Sequence, residues 1–250
     1  MKRSSSDPDS DGESNSKHGK FRKFVPIFVF QNTFDSSSII NINDISDKYD
    51  HEKRRLYELF SVLCSFNVFS RTGNQRYKWN GIFEIENTIR KICIDIEERS
   101  ENNPVSKLFE IGDSPSLSAL SMKFVEIMLY FNGQPINFVE IAALMSYNTA
   151  KMKQISRRLY PTTSFLEDLR IIQHSSENSS YTLVSRLQNI PFTLLTNPES
   201  RKNIKKDSVL YLLNKVDSSF LNTRYTHRRQ KLVEELKNKH KTVDFCDTLV

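Results

Sequence analysis

The sequence predicts an α+β chain, mainly α, made of two copies of one small helix-rich domain with additional C-terminal helices. Three observations carry that expectation. The tetrapeptide Arg54-Arg55-Leu56-Tyr57 returns as Arg157-Arg158-Leu159-Tyr160. A repeat of about a hundred residues is domain-sized, much longer than the period of a solenoid. Both copies open a helical apolar pattern, and both patterns end in a short apolar hairpin.

Residues 1–19 are Ser, Asp, Glu, Lys and Gly without apolar periodicity, and are expected to be a disordered, acidic and Ser-rich tail. Phe21–Phe34 is apolar but contains Pro26, which reads as a helix interrupted or started at the proline. Ser36–Ser38 form a loop. Ile39, Ile40 and Ile42 suit a short strand, and Asn41 or Asn43 a cap for a brief helix over Asp44–Lys48. From Asp50 onward, Leu56, Leu59, Phe60 and Leu63 recur at i, i+3, i+4 and i+7, one buried helix face that ends at Asn67. Arg54 and Glu58 project almost opposite that face, and Arg55 lies on its flank. Val68–Arg71, Thr72–Gln75 and Arg76–Trp79 then read as strand, turn and strand. Three helices closed by a hairpin make a winged helix, a helix-turn-helix variant whose last helix enters the major groove. This first domain covers residues 20–81.

Residues 82–115 read as a linker. Ile82, Ile85, Ile89, Ile92 and Ile96 make a seam of about two heptads. So short a seam suits a packed linker helix better than an isolated dimerisation helix. Ser100–Pro115 is polar and carries Pro104 and Pro115. The second domain, 116–186, repeats the order: a helix over Leu117–Phe131, a turn Asn132–Pro135, a helix over Phe138–Met145, and a third from Thr149. Its wing is Ile171-Ile172 paired with Tyr181–Val184. In the helical C-terminal region, 187–250, Val209–Val216 and Arg224–His240 carry the helical signal. The basic stretch of the latter reads as a solvated helix at least as readily as a nucleic-acid or partner contact.

Composition bounds the function. The chain has 250 residues, 36 Lys+Arg against 30 Asp+Glu, a net charge of +6 and 38% hydrophobic residues. Such a chain holds one or two modest cores, and its charge permits a polyanionic partner without demanding one. Cys64, Cys93 and Cys246 have no CxxC spacing, which argues against disulfides and a zinc site and for a reducing compartment. No signal-peptide core or membrane-length apolar run is visible, so a soluble intracellular protein is expected. No P-loop, dinucleotide fingerprint, HExxH or GxSxG occurs, and His18, His51, His174, His227 and His240 have no ligand spacing. No enzyme, cofactor, metal site, membrane contact or small-molecule substrate is expected.

The arginine pairs carry the chemistry. A guanidinium donates two parallel hydrogen bonds to the N7 and O6 of guanine, a geometry that lysine cannot reproduce. Arg54, Arg55, Arg157 and Arg158 are the candidate base readers. Tyr57 and Tyr160 sit at the edges of the buried faces, where a hydroxyl can reach a phosphate or orient an arginine. Glu58 lies one turn beyond Arg54, placed to hold it by an i, i+4 pair. Lys53, Arg71, Arg76 and Lys78 are candidate phosphate contacts, which give affinity but no sequence information. One exposed arginine pair alone would be ordinary surface, and the repeat argues otherwise.

Arg54-Arg55-Leu56-Tyr57-Glu58 with Leu63, followed by the wing Phe69-Ser70-Arg71…Asn74–Gly81, resembles the winged-helix domain of the E-two-F/DP cell-cycle transcription factors. Ser116-Leu117…Met122–Val125 and Ile155…Arg157–Tyr160 resemble the second domain of that family's atypical branch, which carries two such domains in one chain. The resemblance implies double-stranded DNA with a GC core of the TTTCCCGC type, read without a DP partner, mostly to repress, in the nucleus. Short basic clusters at Lys17–Lys23 and Arg228–Lys231 fit that compartment. It also implies base reading by Arg54, Arg55, Arg157 and Arg158, with motif tyrosines at Tyr57 and Tyr160. The chain departs from the RR-x-Y-D motif at Glu58, and at Pro161 in the second copy. A proline there removes a helix hydrogen bond and clashes with the Arg157 carbonyl, at about 3 kcal/mol or a kink. Thr162 and Thr163 also stand where the first copy has Leu59 and Phe60. The second copy is thereby left open as a poor docker, a reader of a degraded half-site, or a structural partner. Two further readings stand beside the tandem one. One is a homodimer, or a complex with a DP-like partner, in which only the first domain reads DNA. The other is a winged-helix protein-interaction module.

Overall fold

The computed structural model describes residues 10–33, 38–146, 149–175, 179–188, 190 and 218–240, and the chain divides into two compact units at Glu84/Ile85. The expected helix Val209–Val216 lies outside the described residues.

Unit 1 runs α1 (Ser10–Thr33), β1 (Ile39–Asn41), α2 (Ile42–Tyr49), α3 (Lys53–Ser65), β2 (Phe69–Gly73) and β3 (Arg76–Trp79). Its antiparallel sheet has the order β1-β3-β2, with Ile40 opposite Tyr77 and Phe69 opposite Trp79. The structure corrects the reading of the N-terminus. Residues 10–19, expected to be disordered, are helical, and α1 passes through Pro26 without a break. Pro26 has no N–H to give the previous turn. The face Phe21, Phe24, Val25 and Phe28 is nonetheless fully packed, and its burial outweighs the lost bond. Asp50 does not open α3. It closes α2 with a left-handed φ of 53°, while Asn41 caps the start of α2 by accepting from the Asn43 N–H. The core of unit 1 is aromatic: Phe60 lies 4.6 Å from Phe69 and 5.7 Å from Phe28, and the Trp79 ring meets Phe69 edge-on at 5.2 Å.

Unit 2 repeats that order with α6 (Leu117–Tyr130), β4 (Ile136–Asn137), α7 (Phe138–Met145), α8 (Thr149–Asp168), β5 (Ile172–His174) and β6 (Ser180–Leu183), and its sheet order is β4-β6-β5. Before these come α4 (Glu84–Asn102) and α5 (Val105–Leu108), and after them α9 (Ser185–Gln188) and α10 (Ser218–His240). The correspondence extends to single hydrogen bonds. At the end of α3, Asn67 (φ 58°) donates to the Cys64 carbonyl and Val68 to Leu63. At the end of α8, Arg170 (φ 53°) donates to Glu167 and Ile171 to Leu166, in the same spacing as the arginine repeat. Asn137 caps α7 as Asn41 caps α2, here as a capping box in which Glu140 reaches back to the Asn137 N–H. The Ile42 N–H donates to Gln75, and the Phe138 N–H to Ser179.

Two expectations for unit 2 change. Pro161 lies inside α8, which remains one helix. Buried Thr162 and Thr163 send their hydroxyls back to the Arg158 and Tyr160 carbonyls at 2.8 and 2.9 Å, and Phe165 and Leu166 hold the turn against the core. The segment expected to be a polar linker is packed, with Val105, Leu108, Phe109 and Ile111 buried. The Lys151 ammonium, also buried, donates to the Ile111 carbonyl at 2.6 Å and pairs with Asp113. Ile85, Ile89, Ile92 and Ile96 of the α4 seam are buried in the chain itself.

The basic C-terminal helix α10 is not a solvated surface helix. Arg228 is 5% exposed; it pairs with Glu97 of α4 at 2.8 Å and donates to the Tyr130 carbonyl. Arg224 pairs with the same carboxylate, and Arg229 forms two bonds to Glu140 at 3.0 and 3.2 Å. Glu235 accepts from the Val105 N–H. Beneath this cluster, burial pushes the Cys93 thiol up to about 11, so it stays protonated.

Candidate nucleic-acid interface

Helix α3 presents its motif as the apolar spacing dictates. Leu56, Leu59, Phe60 and Leu63 are fully buried, which turns Lys53, Arg54 and Tyr57 outward and leaves Arg55 and Glu58 half-buried on the flank. Arg54 is almost wholly solvent-exposed, with a side-chain exposure of 88%. Glu58 meets both arginines, with Arg54 Nε 3.5 Å from one carboxylate oxygen and Arg55 NH1 3.1 Å from the other. The Arg55 guanidinium also lies over the Phe21 ring of α1, 5.6 Å from its centroid. The sequence pointed to the Arg54–Glu58 pair but missed that Glu58 spans both guanidiniums and that Phe21 supports one of them. The i, i+3 spacing of Arg55 and Glu58 was the available signal.

The wing divides the remaining cations. Arg76 and Lys78 alternate with buried Tyr77 and Trp79 along β3, so both point away from the core. Arg71, opposite Tyr77, lies on the side facing α3. Burial raises the Tyr77 hydroxyl and the Cys64 thiol above their ordinary values, and the Arg71 guanidinium nearby pulls both the other way. The structure therefore sets Arg71 on the same face of the hairpin as Tyr77, near Cys64 of α3, and Arg76 and Lys78 on the opposite face.

In unit 2, α8 exposes Arg157 and half-buries Arg158, the same pattern as Arg54 and Arg55. Tyr160 is 64% exposed and its ring stacks on Phe138 at 4.8 Å. Where Glu58 braces the first pair, Pro161 offers no carboxylate. Neither Arg157 nor Arg158 has an ion pair among the described residues. The described residues contain no His, Cys, Asp or Glu group that could hold a metal ion, and no helix long and apolar enough to cross a membrane.

A three-helix domain with an arginine pair on the outer side of its third helix, Arg54 exposed and Arg55 half-buried, and a basic hairpin has the form of a DNA-binding winged helix. Residues 22–81 match the E-two-F/DP family winged-helix DNA-binding domain. The chain is similar to Transcription factor E2F8 of Danio rerio, 24% identical over 190 residues, covering 54% of this chain and 20% of that protein. It is 24% identical over 181 residues to Transcription factor E2F7 of Xenopus tropicalis, covering 54% and 21%. It is 20% identical over 170 residues to the E-two-F transcription factor-like protein E2FF of Arabidopsis thaliana, covering 56% and 48%. The chain thus spans between about a fifth and a half of the length of these relatives. No solved structure matches the chain significantly.

Proposed function

We propose that this chain is a sequence-specific transcription regulator that binds double-stranded DNA through two tandem winged-helix domains, units 1 and 2. Arg54 and Arg55 read guanines of a GC-core promoter element from the major groove, and Arg157 and Arg158 address the neighbouring half-site. Lys53, Tyr57 and Arg71 contact the backbone beside α3, Arg76 and Lys78 do so from the outer face of the wing, and Tyr160 serves unit 2. The observation that carries this reading is the Glu58-braced arginine pair on the third helix of a segment that matches a DNA-binding domain. The correspondence of helix ends, caps and sheet order supports unit 2 as a second domain of the same kind. With two such domains in one chain, no DP-like partner is needed. A repressing role in the nucleus, in cell-cycle control, is what the resemblance to the family's atypical branch implies, and the similarity to proteins named Transcription factor E2F7 and E2F8 supports it.

The test is a titration of the protein against a duplex with a TTTCCCGC-type element and against the same duplex with its GC core scrambled, at two salt concentrations. A specific-over-scrambled gap of about 4 kcal/mol or more supports direct readout. Equal binding to both, steeply salt-dependent, reduces the protein to a general DNA binder, and no binding moves it to a protein-interaction role. Mass on the duplex separates one chain from a dimer.

A further inference from the structure

Resting on that reading, we infer that the two arginine pairs read DNA with unequal stringency, and that position 58 in unit 1 and position 161 in unit 2 set the difference. Glu58 holds Arg54 and Arg55 from one carboxylate, and Phe21 supports Arg55 from behind. A guanidinium fork held in place loses little rotamer freedom on binding, and its two donors already match the edge of one base. The carboxylate also lowers the net charge of the three side chains, so fewer phosphate contacts compete with the base contact. Among the described residues of unit 2, Arg157 and Arg158 have neither a carboxylate partner nor a ring beneath them. Pro161 has no carboxylate, so nothing braces Arg157 and Arg158 among the described residues. It also has no N–H for the Arg157 carbonyl, which leaves the turn that carries the pair without one of its helix bonds. Two unbraced cations swing between base edges and phosphates, and phosphates carry no sequence information. Unit 1 therefore fixes base identity, while unit 2 supplies affinity with tolerance for altered bases. Glu58 is a positioning residue, acting through the arginines.

The experiment uses the full chain and three duplexes: the parent element, and one with a G·C to A·T change in each half. The inference expects a loss of about tenfold or more for a change in one half and less than about threefold in the other. Arg54→Ala/Arg55→Ala identifies the sensitive half as that of unit 1, because discrimination there disappears. Glu58→Gln should shrink the discrimination at that half, and Glu58→Asp should keep most of it, a rescue that a merely structural role would not produce. Pro161→Glu, which restores both the helix N–H and a carboxylate, should raise discrimination at the tolerant half. Circular dichroism of each variant checks that the helices persist. Equal sensitivity of the two halves overturns the inference, as does Glu58→Gln with full discrimination or Pro161→Glu with none gained. Loss of discrimination at both halves in the unaltered protein overturns the DNA-readout reading itself.

Discussion

The Arg228 guanidinium lies 4.1 Å from the centroid of the Tyr130 ring and donates a hydrogen bond of 2.5 Å to the carbonyl of the same residue. One side chain of α10 thus covers the ring and caps the end of α6, where carbonyls lack helical partners. Glu97 balances the charge. Glu97→Gln leaves Arg224 and Arg228 facing each other without a carboxylate, and should cost unit 2 about 3–5 kcal/mol. Arg228→Met keeps much of the packing and leaves Glu97 paired with Arg224, so its cost should be smaller. Thermal unfolding of the two variants checks the order.

The Trp79 ring is fully buried, and its Nε1 is the buried side-chain atom without a hydrogen-bond partner among the described residues. A buried donor left unpaired forfeits its bond to water. Trp79→Phe, which removes that donor along with some apolar area, should cost about 1–2 kcal/mol, whereas Trp79→Ala should cost about 3–5 kcal/mol. Urea unfolding distinguishes the two.

His51 packs against Phe24 at 4.6 Å and Phe21 at 5.1 Å, and burial, assisted by the Lys20 cation, holds its pKa below the ordinary 6.5. The unfolded chain therefore binds the proton more readily than the folded one. The stabilising contribution is complete above pH of about 6.5 and is lost as pH falls through the folded value. Unit 1 should melt at a lower temperature at pH 5 than at pH 7.5, and His51→Phe should remove part of that difference.

Pro161→Ala restores an N–H to α8 where the helix is already continuous. A gain of about 1–3 kcal/mol is expected, seen as a rise in the melting temperature of unit 2 by several degrees. No gain would mean that the hydroxyls of Thr162 and Thr163 already compensate the turn.

Arg76→Ala and Lys78→Ala should weaken binding to the specific and scrambled duplexes alike and reduce the salt slope by about 1 each. Titrations at several salt concentrations report the slope directly. A change in the specific-to-scrambled ratio would assign either residue to base reading.

Much of this was legible in the residues. The i, i+3, i+4, i+7 run of Leu56, Leu59, Phe60 and Leu63 and the wing through Trp79 reported α3, β2 and β3, because periodicity and turn chemistry are local signals. The strand β4 was missed because two residues between Pro135 and a helix cap carry no period of their own. Pro26 and Pro161 misled for the opposite reason: each breaks a local rule that tertiary packing overrides, with Phe24 and Phe28 in one case and Phe165 and Leu166 in the other. The arginines of α10 were unreadable, since a surface cation and a buried clasp look alike until Glu97 and Glu140, far away in sequence, are brought opposite them.

Glu140 closes the first turn of α7 and anchors Arg229 of α10 with the same carboxylate. A fragment ending after the second hairpin would keep both arginine pairs yet lose Arg224, Arg228 and Arg229, stranding Glu97 and Glu140 without their cations. A boundary drawn at the hairpin therefore cuts these ion pairs, and a piece that reaches through α10 is expected to be the more stable carrier of Arg157 and Arg158.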